Sequence, residues 1–245
     1  MADEKIRKEE AAKKAAEEWK PKTVLGKKVK AGEVADIDLI LDSGQLILEP
    51  QITELLLPGL ESDLLLIGQS KGKFGGGQRR AFRQTQKKTE DGSTVSFSTC
   101  AVVGNRNGYV GVGIGKAKET IPSREKAIRK AKLAVMKIRR GCGDWKCGCG
   151  TPHSIPFEVR GKSGSVEIVL IPAPKGTGLC VEKECRKVLA LAGVKDIWSR
   201  ASGQTAIKVN LMKALMDALK NLVEMKVNEK YLKQLGVLEG RVKNE

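Results

Sequence analysis

Aromatic side chains are scarce in this sequence: Phe, Tyr and Trp together make up 4% of its 245 residues. Proteins that read single-stranded nucleic acid on flat sheet platforms stack bases on such rings, so the chain is short of material for that mode. Histidine occurs once, at His153, which leaves imidazole acid–base chemistry a single candidate. No pair of carboxylates stands out, so an enzyme acting on a small-molecule substrate has no support in the residue pattern. No stretch approaches the roughly 18 apolar residues that a membrane span needs. Residues 1–19 are charged throughout and have no apolar centre, unlike a secretory signal. A cytoplasmic protein with no membrane partner is expected.

What the chain has in surplus is positive charge. Lys and Arg number 45 against 29 Asp and Glu, a net charge of +16. Such an excess repels itself unless a polyanion neutralises it, and nucleic acid is the usual one. Hydrophobic residues at 40% are enough for a buried core, which excludes a wholly disordered basic tail. With so few rings, contact through phosphates, sugars and RNA shape is expected.

Along the chain, Ala2 to Lys20 reads as a charged, Ala-rich helix and Pro21 to Pro58 as an extension with short helices. Ser70 to Arg80 interleaves glycines with Lys71, Lys73, Arg79 and Arg80. Glycine lets a chain run close to a phosphate backbone, although a flexible linker has the same composition. Ala81–Thr89, Thr94–Gly104 and Tyr109–Gly115 read as three antiparallel strands, with Asp91-Gly92 as a hairpin signal and Asn105–Gly108 as a second turn. A helix is expected from Ser123, as N-cap, to Arg140. Its apolar spacing runs Ala127, Ile128, Ala131, Ala134, Val135, Ile138. Beyond Cys142–Pro152, strands are expected over His153–Arg160 and Ser165–Ile171, then a rigid basic loop at Pro172–Gly178. Helices follow at Lys183–Ala192 and Asn210–Leu222 with a short strand Asp196–Ser199 between them. The segment after Asn228 reads as charged and peripheral.

The glycine run Gly111-Val112-Gly113-Ile114-Gly115-Lys116 is not a phosphate-binding loop. That motif needs Gly where Val110 stands and Ser or Thr where Ala117 stands, and the dinucleotide fingerprint needs Gly where Lys116 stands. Glycines alternating inside a strand instead allow another backbone to approach closely.

Two longer stretches carry a family resemblance. Val102 to Glu119 resembles the N-domain signature of the ribosomal protein S5 family. Gly164-Ser165-Val166 through Leu170-Ile171-Pro172-Ala173-Pro174-Lys175-Gly176-Thr177-Gly178-Leu179 resembles its C-domain signature. The extension, the 68–83 segment and Cys142–His153 resemble the archaeal form. The resemblance covers about Ala81 to Leu222. It implies an α+β protein: an N-terminal extension (1–62), a double-stranded-RNA-binding-like β-β-β-α domain (63–141), a Cys-rich linker (142–152), a second domain with a left-handed βαβ crossover (153–225) and a tail (226–245). It also implies a non-enzymatic component of the small ribosomal subunit. Such a protein binds rRNA near the head–body junction, lies beside proteins S4 and S8, and borders the mRNA entry path. The hairpin tip, with Lys87, Lys88, Asp91 and Gly92, would face the decoding side and contribute to accuracy.

Candidate rRNA contacts are the cations of these segments. They are Lys71, Lys73, Arg79, Arg80 and Arg83 in the glycine-rich stretch, then Arg106, Lys116 and Lys118 around the third strand. The helix adds Arg124, Lys126, Arg129, Lys130, Lys132, Arg139 and Arg140, and the second domain adds Lys175. A free double-stranded-RNA-binding regulator would share the charge, and an enzyme with a phosphate site at Lys175–Gly178 is a third class.

Six cysteines are present, and in a cytosolic chain of this size they do not read as a disulfide framework. Cys142-x4-Cys147-x-Cys149-x3-His153 offers four soft or borderline ligands, the set of a structural zinc site. The alternative is three small thiols lying beside rRNA.

Overall fold

The alternation in the glycine strand decides the first half of the fold. The computed structural model describes residues 19–70 and 77–241. The expected Ala2–Lys20 helix, except its last two residues, and Lys71 and Lys73 lie outside the described residues. Three short helices open the described chain: α1 (Val24–Lys30), α2 (Ile37–Asp42) and α3 (Pro50–Leu56). The Thr23 hydroxyl accepts the Gly26 N–H at 3.0 Å to start α1. Pro50 sits in the first turn of α3, where a missing N–H costs nothing. These helices fold around their own apolar cluster of Trp19, Ile37, Ile40, Ile52 and Leu57, which rests on Tyr109 and Val135.

The first sheet contains β1 (Glu61–Leu65), β2 (Phe82–Thr89), β3 (Gly92–Gly104), β4 (Tyr109–Ala117) and, after α4 (Thr120–Leu133), β5 (Val135–Lys137). All pairings are antiparallel. β1 and β2 lie end to end on one edge of β3: β1 pairs with Cys100–Gly104 and β2 with Gly92–Thr99. The outer half of the β2–β3 hairpin therefore runs beyond the packed core, and seven of the eight β2 residues are exposed. The turn is tight as expected, but its central residues are Glu90 and Asp91. Thr89 pairs with Gly92, and Gly92 has φ +120°.

On one face of β4, a Cβ added at Gly111, Gly113 or Gly115 would lie 2.3 Å from Ala131 O, 2.2 Å from Ala131 N or 2.2 Å from Ser123 O. Helix α4 thus lies directly on the strand backbone, as the alternation implied. Its buried residues are correspondingly small: Ser123, Ala127 and Ala131. Ile128, expected among the packed positions, is only partly covered. Ser123 does not cap the helix. Thr120 starts it, and the Ser123 hydroxyl bridges to the carbonyls of Phe97 (3.0 Å) and Gly115 (3.1 Å).

The helix also ends earlier than expected, at Leu133 rather than Arg140. Val135–Lys137 then pairs with Tyr109–Gly111. The β-branched Val135 and Ile138 satisfy a strand as well as a helix, and the free edge of β4 captures them. β6 (Arg139–Arg140) follows and pairs with β11 (Leu238–Glu239).

The second half comprises β7 (Val159–Ser163), β8 (Val166–Pro172), β9 (Leu179–Cys180), α5 (Lys183–Ala192), β10 (Ile197–Ser202), α6 (Lys208–Glu224), α7 (Glu229–Gln234) and β11. Its sheet has the order β7-β8-β10-β9, with β9 and β10 parallel around α5. The α5 helix occupies the expected span, capped by the Glu182 carboxylate, which accepts the N–H groups of Glu184 and Cys185, and by Gly193 at φ +85°. The expected strand from His153 begins only at Val159, because Ser154 is turned back to bridge Gly141 and Pro156 has no N–H to donate. The segment after Asn228 is not peripheral: it forms α7 and adds β11 to the fold.

Both halves share one core. Cys100, Val102 and Val110 of the first sheet pack in the same cluster as Val188, Leu189, Leu215 and Leu219 of the second half. The first sheet is thereby covered by α4 on one face and by the second half on the other. The mixed α+β class expected from the sequence is borne out. No helix among the described residues is long and apolar enough to cross a membrane.

Candidate nucleic-acid interface

Because α4 turns Ser123, Ala127 and Ala131 toward β4, the positions on its opposite side face outward. Arg124, Lys126, Arg129 and Lys130 are all exposed and, among the described residues, form no ion pair. Lys116 and Lys118 are exposed just ahead of the helix. Arg83 and Lys116 both pair across from Ser98. They therefore stand in one row on one face of the ribbon, about 10 Å apart across two strand spacings. A groove beside this row is lined by Arg79, Arg80 and Arg83 from the first half and by Ala206 and Ile207 from the second. Arg80 and Arg83 are exposed, while Arg79 donates to the Ala206 carbonyl at 3.2 Å. Like charges in a row repel one another, and a line of phosphates relieves that repulsion. The hairpin residues Lys87, Lys88, Asp91 and Gly92 are all exposed at the end of the ribbon.

Other expected contacts are placed differently. Arg139 and Arg140 are buried, with 7% and 4% of their surface exposed. The Arg139 guanidinium donates to the carbonyls of Leu222 (3.1 Å), Val223 (3.1 Å) and Met225 (2.6 Å) at the end of α6, and pairs with Glu239. Arg140 donates to Asn107 Oδ1 (2.9 Å) and Gly240 O (3.0 Å). Both are structural side chains, and neither is presented to a partner. Strand pairing turned them inward where a continued helix would have exposed them. Lys132 is paired with Glu54 and is partly buried, and Arg106 is exposed but paired with Glu61 at 2.7 Å.

Lys175 is exposed on the loop Ala173–Gly178. That loop is held from behind: Asp196 Oδ1 accepts the N–H groups of Gly176 (3.0 Å) and Gly178 (2.8 Å), and Ser154 Oγ accepts that of Ala173 (3.2 Å). Sequence reasoning missed Asp196 as the organiser of this loop; its one signal was a lone acid directly before an apolar strand. It also gave no role to Trp145, which is 87% exposed, with Lys146 Nζ 4.9 Å from its ring centre.

The expected metal ligands do come together. The ligand atoms of Cys142, Cys147, Cys149 and His153 all lie within 4.8 Å of one another. Cys142 Sγ is 3.6 Å from Cys149 Sγ, and Cys147 Sγ is 3.7 Å from His153 Nε2. His153 Nδ1 is 2.9 Å from Asp196 Oδ2, with both residues buried. Burial pushes the Cys142 thiol up to about 11, while hydrogen bonding with Thr151 brings the Cys149 thiol down to about 6. Cys147, His153 and Asp196 are ordered like a nucleophile, base and orienting acid. The other two sulfurs, however, converge on the same point, within 4.8 Å of the Cys147 sulfur and the imidazole.

A basic α+β protein with one core under two sheets, and a cationic helix face that forms no ion pair among the described residues, is built to meet a polyanion. The family described as ribosomal protein S5, N-terminal domain, matches residues 79–139, and the S5 C-terminal domain matches residues 161–230. Small ribosomal subunit protein uS5 of Nanoarchaeum equitans is 45% identical over 229 residues, 94% of this chain and 98% of that protein. Its Methanocaldococcus jannaschii counterpart is 46% identical over 226 residues, 92% and 97% of the two chains. That of Methanococcus maripaludis strain C6 is 44% identical over 243 residues, 99% and 100%. The chain belongs to the ribosomal protein S5 family, in its archaeal form, and is not an enzyme.

Proposed function

We propose that this chain is a structural constituent of the small ribosomal subunit, working in the cytoplasm, and that it binds small-subunit rRNA through phosphates and RNA shape. The observation that carries this reading is the segregation of charge on α4. Small residues face the sheet, while Arg124, Lys126, Arg129 and Lys130 face outward and form no ion pair among the described residues. The groove of Arg79, Arg80 and Arg83 and the Lys116 row add a second set of cations on the opposite face of the same sheet, beside the second half. In this reading the sheet and α4 form a lobe of the double-stranded-RNA-binding kind, and β9–α5–β10 is a left-handed crossover.

The family resemblance supplies the rest of the proposal. The chain lies near the head–body junction beside proteins S4 and S8 and borders the mRNA entry path. Its hairpin tip is directed to the decoding side, where it contributes to accuracy. The exposed ribbon beyond the core supports the last point, since a projecting hairpin reaches a site that the packed lobes do not.

Changing Arg124, Lys126, Arg129 and Lys130 together to Gln tests the interface. Affinity for small-subunit rRNA should fall, and the slope of log affinity against log salt should flatten by roughly 0.7–0.9 for each phosphate that is no longer neutralised. A slope equal to that of the unaltered protein would reject α4 as the RNA-binding surface.

A further inference from the structure

We propose that Cys142, Cys147, Cys149 and His153 bind one zinc ion, and that this ion, acting through His153 and Asp196, locks the loop that presents Lys175. The inference concerns the chain's own architecture and stands whether or not the loop meets rRNA.

The spacing of the ligand atoms is the first support. A tetrahedral site with Zn–S bonds of about 2.3 Å and Zn–N bonds of about 2.05 Å separates sulfurs by about 3.8 Å, and sulfur from nitrogen by about 3.6 Å. Two of the pairs match, at 3.6 Å for Cys142–Cys149 and 3.7 Å for Cys147–His153, and all four ligand atoms lie within 4.8 Å of one another. A disulfide would require about 2.05 Å. Four protein ligands complete the tetrahedron, so the site is structural and has no open position for chemistry.

The second support is the shell behind the ligands. His153 presents Nε2 to the sulfurs and hydrogen-bonds through Nδ1 to the buried Asp196. This is the carboxylate–histidine–metal arrangement that fixes an imidazole for coordination. The other oxygen of Asp196 holds the amides of Gly176 and Gly178. Metal, imidazole, carboxylate and loop backbone thus form one continuous linkage.

The third support is the segment itself. From residue 143 to residue 152 no hydrophobic side chain is buried, so the turn has no apolar core to hold it. Yet two other parts of the fold converge on it, and its own two ends pair with each other. Cys142 N–H donates to Leu235 O at 2.8 Å, the His153 carbonyl accepts from Lys195 and Asp196, and Ser154 pairs with Gly141. A metal knot at this crossing joins the linker, the second sheet and the returning tail.

The test uses the full chain, purified under reducing conditions and supplied with zinc. One equivalent of zinc by elemental analysis is expected. Cys149, although exposed, should resist alkylation while the exposed Cys180 reacts. Substitution by cobalt should give the visible absorption of tetrahedral thiolate coordination. Chelation should speed hydrogen exchange at Gly176 and Gly178. Asp196→Asn should weaken zinc binding about 10- to 100-fold and speed exchange at the same two amides. Cys149→Ser, at an exposed position, should lose the ion while keeping the fold.

Three results would overturn the proposal. One is zinc well below one equivalent with Cys149 as reactive as Cys180. Another is a Cys142–Cys149 disulfide found by mass spectrometry in the native protein. The third is stoichiometric zinc whose removal leaves Gly176 and Gly178 exchange unchanged, which would overturn the coupling to the loop.

Discussion

Arg139 and Arg140 show how a single cation can belong to the fold rather than to a partner. The Arg139 guanidinium binds three carbonyls at the end of α6, groups that a helix terminus leaves without internal partners, and it pairs with Glu239. Arg139→Gln removes the charge and most of these bonds from a buried site. It should cost about 3 kcal/mol of unfolding free energy, measured by denaturant titration. The salt dependence of RNA binding should stay the same, because every phosphate keeps its cation. A flattened slope would return Arg139 to the interface. At this scale the glycines were the most legible residues. Gly111, Gly113 and Gly115 alternate in a strand, and close backbone approach is the one physical reason for that pattern. Arg139 and Arg140 were not legible, because a basic dipeptide carries no mark of which way it points.

At the scale of elements, the β2–β3 ribbon is held by its own ladder and by little else over its outer half. Gly92 has φ +120°, which a proline ring cannot adopt, since it fixes φ near −65°. Gly92→Pro should therefore disturb the tip while leaving β4, α4 and the shared core intact. Subunit assembly should proceed at the normal yield, with a changed error frequency in a miscoding assay. Normal assembly with normal accuracy would show that the tip has no decoding role. The bounds of α5 could be read from local signals, a carboxylate before the first turn and a glycine after the last. The end of α4 could not. The spacing of Val135 and Ile138 continues the helical period, and only the vacant edge of β4, formed from residues far earlier in the chain, makes a strand the better solution. The cysteine cluster was visible as four ligands in twelve residues. Its connection to Asp196 was not, because 43 residues separate His153 from that acid.

For the whole molecule, the shared core makes the two halves dependent on each other. A fragment of residues 63–141 would expose Cys100, Val102, Val110, Val112 and Ile114, which in the intact chain pack against the second half. Such a fragment should bind a hydrophobic dye and aggregate. The full chain should instead unfold in one transition that is coincident by circular dichroism and fluorescence. Two separated transitions would show that the halves are independent domains. The sequence suggested two domains because two signatures lie on either side of a linker, and signatures do not reveal that one apolar cluster runs beneath both. The β6–β11 pair adds a constraint in time. Glu239 and Gly240 lie 100 residues beyond the arginines they satisfy. On a translating ribosome, Arg139 and Arg140 emerge long before Glu239 and Gly240 have been synthesised. A nascent chain halted before residue 238 holds two cations in its interior with part of their hydrogen bonding unmade. Products halted there should therefore stay loosely folded and open to proteases, whereas chains that include β11 should resist them.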